Sequence, residues 1–256
     1  GICKGKIIQG TVDYGRHNEE TLTADEKQVG KALFCCASPL TDLVIECHEI
    51  SATKDIEIKT LPCRVHKLEL VAPDVMVISL KLPTNQRLQF LAGQYIDILL
   101  KDGKRRSFSL ANAPHDDEYL ELHARNYPGG VFTEHVFTNM KVKDMLRFTG
   151  PLASFFLRDT PEECSIIFLA SGTGFAPIKS ILEHVFHQEG GRHRKRNMTL
   201  YWGARTKSDL YLADLADKWQ REHDNFTFIP VLSEPLPSDN WQGRTGLVHQ
   251  AVMHDF

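Results

Sequence analysis

The 256-residue chain is 42% hydrophobic and 25% charged, enough apolar content for more than one core, so two or three domains are expected. Its formal net charge of −3 gives no general attraction to nucleic acid or to an anionic membrane. No apolar run approaches the roughly 20 residues of a bilayer-spanning helix and no signal-peptide pattern opens the sequence, so a cytoplasmic protein is expected.

The six cysteines form no evenly spaced disulfide framework, which favours reduced thiols or metal ligands. Within the first 55 residues, Lys4-Gly5-Lys6 reads as a hairpin after Cys3, and Leu43-Val44-Ile45-Glu46 reads as a strand after Cys35. Taken alone, Cys3 and Cys35 are either small buried hydrophobes or thiolate ligands. Cys36, Cys47, Cys63 and Cys164 have no partner at metal spacing and are expected to be structural.

From about residue 60 to 155, short strand-like runs recur: Arg64 to Leu70, Val75 to Lys81, Tyr95 to Leu100, Arg106 to Leu110, Tyr119 to Arg125 and Met145 to Thr149. One helix-like segment, Val131 to Met140, interrupts them, which predicts a small antiparallel barrel. Gly93 is expected to supply a bend. In Arg106-Ser107-Phe108-Ser109 the period of two puts Arg106 and Phe108 on one face and the serines on the other. A guanidinium beside an aromatic ring suits a cofactor carrying both phosphates and a flat ring system; the alternative is an edge strand with a solvated arginine. His123 and Arg125 alternate on the strand before Gly129-Gly130-Val131-Phe132-Thr133, where glycines open a helix start whose amides suit an anion.

The last hundred residues alternate strands (Ser165 to Ser171, Met198 to Gly203, Phe226 to Leu232) with helical stretches (Ala176 to Gln188, Asp209 to His223), the rhythm of a parallel α/β sheet. The first strand opens into Gly172-Thr173-Gly174-Phe175-Ala176-Pro177, the physical form of a dinucleotide site. Arg205 and Glu234 fall at the carboxyl ends of the next two strands, where such sheets bind ligands. His184 and His187 have helical ligand spacing but no evident third ligand, so they read as surface histidines.

These motifs in this order, together with Tyr201-Trp202-Gly203-Ala204-Arg205, resemble the ferredoxin-NADP reductase superfamily. The resemblance is strongest to bacterial iron-sulfur flavoproteins with an N-terminal plant-type ferredoxin domain, such as oxygenase reductase components and CDP-6-deoxy-glucoseen reductases. It implies three parts: a partial β-grasp [2Fe-2S] ferredoxin domain over 1–55, an antiparallel Greek-key FAD barrel over 60–158, and an α/β nicotinamide-binding domain over 162–256. By the same resemblance Arg106 binds the FAD pyrophosphate, Ser109 lies beside flavin N5 as the catalytic residue, and Ser107, His123 and Arg125 contact the cofactor. Phe108 replaces the more common tyrosine. Gly130, Val131, Phe132 and Thr133 hold phosphate; Gly172, Thr173, Gly174, Pro177, Arg205 and Glu234 hold NADH or NADPH, with Arg205 on a 2′-phosphate or only a ribose hydroxyl.

Cys3 and Cys35 match the third and fourth cluster ligands of the C-x4-C-x2-C…C pattern. The first two ligands would precede Gly1, and the family continues past Phe256 to a Cys-Gly motif, so a fragment at both ends is expected, with a stable cluster only if upstream ligands exist. The implied activity takes hydride from NADH or NADPH onto FAD and passes single electrons through the cluster to a partner oxygenase or dehydrase. A free flavin reductase and a non-catalytic electron carrier are the alternatives.

Overall fold

The computed structural model describes residues 4–46 and 56–256 apart from 154, 159, 162, 189 and 192. The chain divides into two units, Gly1–Lys54 and Asp55–Phe256. No helix among the described residues is long and apolar enough to cross a membrane.

The small unit contains β1 (Lys4–Gln9), β2 (Val12–Asp13), α1 (Ala24–Gln28), β3 (Lys31–Leu33), β4 (Ser38–Pro39) and β5 (Val44–Glu46). β1 runs antiparallel between β3 and β5, and β2 pairs with β4. Lys4-Gly5-Lys6 lies inside β1 and is not a hairpin: the Phe34 ring rests on Gly5, where any Cβ would overlap it. α1 opens with a reciprocal cap between Thr23 and Glu26. Glu26 also receives Lys4 at 2.7 Å and Lys31 at 3.3 Å, and the Lys4 and Thr23 hydrogen bonds hold its carboxyl down at about 2.

In the larger unit, β6 (Lys59–Ala72), β7 (Val75–Lys81), β8 (Tyr95–Leu99), β9 (Arg105–Ser109), β10 (Leu120–Arg125) and β11 (Met145–Leu152) form one antiparallel sheet in the order β10-β7-β6-β11-β8-β9. Its two edges meet through the Leu110–Leu122 bridge and a bond from Ala111 N to Glu121 O, closing the predicted barrel. Alternation fills the interior: Cys63, Val65, Ile78, Leu80, Ile96, Ile98, Leu120, Leu122 and Phe148 are buried together. α2 (Val131–Thr138) adds Phe132 and Val136 to that core. β6 runs longer than its alternation suggests because two register shifts, between Val65 and Lys67 and between Leu70 and Ala72, reset the phase.

β12 (Ile166–Ser171), α3 (Phe175–His187), β13 (Met198–Ala204), α4 (Ala213–Glu222), β14 (Phe226–Leu232), β15 (Arg244–Thr245) and α5 (Val248–Asp255) complete the unit. The four strands are parallel in the order β12-β13-β14-β15. α3 and α4 cover one face through Phe175, Leu182, Ala216 and Trp219, and α5 covers the other over Tyr201 and Val231. The helix expected from Asp209 starts only at Ala213. Asp209 instead caps a short 3-10 turn, its carboxylate accepting from Thr206 N at 3.0 Å. Cys63 is buried as expected, whereas Cys164 is exposed and so is no part of a core.

Candidate active site

The barrel face of the site begins with β9, which pairs with β8 so that Arg106 faces Ile98, Ser107 faces Asp97 and Ser109 faces Tyr95. Ser107 is committed locally, donating its hydroxyl to Asp97 at 2.6 Å. The half-buried Arg106 bonds only the Arg105 carbonyl, at 2.8 Å, and has no carboxylate partner among the described residues. The Ser109 hydroxyl has no hydrogen-bond partner among them either. Phe108 packs on Phe132 with ring centroids 5.4 Å apart, which ties β9 to the first turn of α2. That turn starts at Gly130 without a side-chain cap, leaving the amides at its start for another acceptor. A Cβ on Gly130 would overlap the Thr133 hydroxyl. Beside it lies a cleft of about 860 Å³, lined by Leu99, Leu100, Val131, Phe132, His135 and Leu146.

An unpaired guanidinium, an uncapped helix start and an apolar cleft are a donor set that fits a dinucleotide with a flat ring system. Among the barrel residues expected to contact it, His123 departs from that picture. Its side chain is 0% exposed; Nε2 lies 2.9 Å from Glu121 Oε1 and Nδ1 2.8 Å from the Tyr211 hydroxyl. No ring nitrogen is left for a ligand. A carboxylate only accepts, so Nε2 carries the proton and Tyr211 donates to Nδ1. Burial pushes the His123 pKa down, which keeps the ring neutral.

On the α/β face, β12 ends in a 3-10 turn, Gly172–Gly174, that runs straight into α3. The buried Trp202 donates its indole N–H to Gly172 O at 3.0 Å and stacks on Phe175 at 3.9 Å, which fixes the turn from below. Gly172 sits at φ +52°, and a Cβ there would come within 2.8 Å of Arg125 Nη1. Thr173 and Pro177 are half-buried at the start of α3. Arg125 therefore lies against the turn, 3.2 Å from Asp74 and 3.5 Å from Asp209. Arg205, 60% exposed, stands 3.8 Å from the same two carboxylates. Glu234 is exposed, and its amide donates to Arg205 O at 2.8 Å.

A cleft of about 570 Å³ opens here between the barrel and the carboxyl ends of the parallel strands, with Arg125, Tyr127, Gly172, Arg205, Leu247 and His249 among its walls. Arg125 Nε and Asp74 Oδ1 are buried in this cleft's lining without an aligned hydrogen bond, despite the short ion-pair distance. Such orphaned polar atoms fit a polar ligand. Asp74, Asp209, Glu121, Lys179 and Tyr211 escaped sequence reasoning. The one available signal was Lys179, a cation on the apolar face of α3.

In the small unit, Cys35 is exposed on the turn after β3, with its Sγ 3.6 Å from that of Cys36. Cys3 lies outside the described residues. Among the described residues no three metal-ligating side chains converge. That includes His184 and His187, which stack with His115 at 5.9 and 3.7 Å.

Comparison with known proteins accords with this geometry. Residues 62–157 match the oxidoreductase FAD-binding domain and residues 168–256 the oxidoreductase NAD-binding domain. The chain is 37% identical over 255 residues to the CDP-6-deoxy-L-threo-D-glycero-4-hexulose-3-dehydrase reductase of Yersinia pseudotuberculosis, spanning 100% of this chain and 74% of that one. It is 34% identical over 259 residues to DmpP, the reductase component of phenol 2-monooxygenase from a Pseudomonas species, spanning 99% and 71%. Among solved structures, the Amycolatopsis cytochrome P450 reductase GcoB superposes with a TM-score of 0.72 at 33% identity, over 99% of this chain and 74% of that one. The chain thus belongs to the ferredoxin reductase-like family of FAD- and NAD-binding oxidoreductases that serve as reductase components.

Proposed function

We propose that the barrel, residues 60–158, holds FAD and the α/β layer, residues 162–256, holds NADH or NADPH, and that electrons leave for an oxygenase or an iron-sulfur dehydrase. The observation that carries this reading is the presence of two separate phosphate-type sites in one unit, Arg106 with the α2 start on the barrel and the Gly172 turn on the layer. A bound flavin supplies the chemistry no side chain here has, accepting a hydride and releasing electrons singly.

In this reading Arg106 forks onto the flavin diphosphate and the amides of Val131, Phe132 and Thr133 share its charge. The Phe132–Phe108 contact keeps those two anion donors in fixed register. The Ser109 hydroxyl is the free donor for the flavin ring system. The apolar cleft beside Phe132 takes the adenosine end and excludes water from it. Gly172, Thr173 and Gly174 bring backbone amides to the nicotinamide diphosphate, with Pro177 in the first turn behind them. Arg205 and Glu234 border its adenosine half. Ser107, held by Asp97, shapes the strand rather than touching the cofactor.

Cys3 and Cys35 are proposed as two of the four thiolates of a [2Fe-2S] cluster in a ferredoxin-like domain over 1–55. Support comes from the exposure of Cys35 on a tight turn and from the pairing of Lys4, next to Cys3, with Leu33, two residues before Cys35. The described residues alone do not complete such a site.

An anaerobic titration of the full-length protein with NADH and, separately, NADPH tests the reading. Bleaching of a tightly bound yellow cofactor is expected, with loss of iron-sulfur absorbance if a cluster is present. Iron and acid-labile sulfide should fall together in Cys35→Ser. A protein that retains no flavin, or flavin that neither nucleotide bleaches, would overturn it.

A further inference from the structure

β10 divides its labour by parity. Leu120, Leu122 and Ala124 fill the barrel core, while Glu121, His123 and Arg125, on the opposite face, each grip a different residue of the α/β layer. Glu121 meets Lys179 of α3 at 3.2 Å, His123 meets Tyr211 at 2.8 Å, and Arg125 meets Asp209 at 3.5 Å. We propose that this polar face of β10 is an interdomain clasp that sets the orientation of the nicotinamide layer against the flavin barrel, with His123 and Tyr211 as positioning residues at its centre. The proposal rests on the two-cofactor reading above.

The geometry explains why three contacts alone would be insufficient. Residues two apart on a strand are about 6.6 Å apart, so the grips form a line of roughly twice that length. A line of contacts resists sliding and tilting but leaves rotation about the strand free. Two further bonds lie off that line: Ser180 donates to Asn112 O at 2.7 Å, and Lys179 to Ala111 O at 3.3 Å. Ala111 and Asn112 directly follow β9 and Leu110, so α3 is pinned close to the strand that carries Arg106 and Ser109. Ser180 has 0% exposure and Lys179 8%, so neither bond competes with bulk water. Gly93 completes the seam, because a Cβ there would come within 2.9 Å of Ile181 of α3.

At the centre of the clasp every polar group has its partner, and only Arg125 Nε, at the end that borders the cleft, lacks an aligned bond. Lys179 is shared by Glu121, Glu183 and a carbonyl, and His123 by Glu121 and Tyr211. A satisfied buried network is geometrically exacting, and transfer between two bound reactants is sensitive to displacements of about 1 Å. His123 and Tyr211, whose polar atoms are spent on each other and on Glu121, set the distance between the cofactor sites without lining the cleft, and Arg125 alone serves both.

The test compares wild type with Tyr211→Phe, which removes one hydroxyl from the clasp, and with the double variant Tyr211→Phe/Ser180→Ala, which also frees the off-line contact. Stopped-flow bleaching of bound flavin by NADH should slow about fivefold in the first and about tenfold or more in the second. The half-saturating NADH concentration should stay within about twofold, and bleaching by dithionite, which needs no nicotinamide site, should be unchanged. Without any nicotinamide, amide hydrogen exchange across 205–212 should quicken in the double variant. NADH bleaching within about twofold of wild type together with unchanged exchange would overturn the clasp. So would a fall in flavin content or in dithionite bleaching that matches the NADH loss, because the damage would then lie in the flavin site. If neither NADH nor NADPH bleaches the wild type, the functional reading fails and the exchange result alone decides the clasp; if only NADPH does, the same comparison is made with NADPH.

Discussion

At Gly172 three demands meet in one residue: a left-handed backbone at φ +52°, a carbonyl held by Trp202, and a guanidinium resting where a side chain would begin. Gly172→Ala should therefore cost about 1–2 kcal/mol from the backbone alone, with a further loss as Arg125 is displaced from Asp74 and Asp209. A urea midpoint reads the first effect and nicotinamide affinity the second. Arg106 makes the opposite case. It has little to hold in the protein, so Arg106→Ala should leave the urea midpoint within about 0.5 kcal/mol. Flavin binding should weaken about 10- to 100-fold, the worth of one charge-assisted phosphate contact, as read by retention of yellow cofactor through dialysis. His123 shows where residue-level reading fell short. Its alternation with Arg125 placed both on one face correctly, but alternation does not say whether that face meets a ligand or another layer of protein. Tyr211 and Lys179, which decide it, lie 88 and 56 residues away in sequence from His123.

Elements were far more legible than their contacts. β7 and β14 run over the residues their apolar patterns predicted, Val75–Lys81 and Phe226–Leu232, because each is bounded by turn residues and packed against neighbours on both sides. The start of α4 was missed because a side-chain cap outcompeted the helix: Asp209 satisfies Thr206 N, and the chain turns before it coils. The hairpin at Lys4-Gly5-Lys6 failed because its glycine answers to Phe34, 29 residues on, and not to a local turn. α2 is the element most exposed to a single substitution, since Phe132 is both a core side chain and the partner of Phe108. Phe132→Ala should cost about 3–5 kcal/mol and loosen flavin binding at the same time. Thermal unfolding with and without added FAD would show both, as a lower midpoint and a smaller ligand-induced rise.

For the molecule as a whole, the seam between barrel and layer makes stability depend on acid. Burial would raise the Glu121 pKa, yet the His123 hydrogen bond and the Lys179 charge overcome it and bring the carboxyl down to about 2 from 4.5. A carboxyl lowered on folding contributes stability that is complete above its unfolded pKa and is lost as pH falls through its folded one. The contribution should therefore disappear between about pH 4.5 and 2. Glu121→Gln should be less stable than wild type at pH 7, by about 2 kcal/mol, and the two proteins should converge as the pH approaches 2. Urea midpoints at pH 7, 4 and 3 trace that convergence; a constant gap would assign the loss to packing instead.

Trp202 gives the protein an optical signal of its own. Its indole is fully buried, bonded to Gly172 O at 3.0 Å and stacked on Phe175 at 3.9 Å. In the proposed reading a dinucleotide draws on the amides of the Gly172 turn and so polarises the carbonyl this indole is bonded to. The emission of Trp202 should therefore shift when a nucleotide occupies the cleft, so that a tryptophan in this place would serve as a built-in lamp for nucleotide arrival.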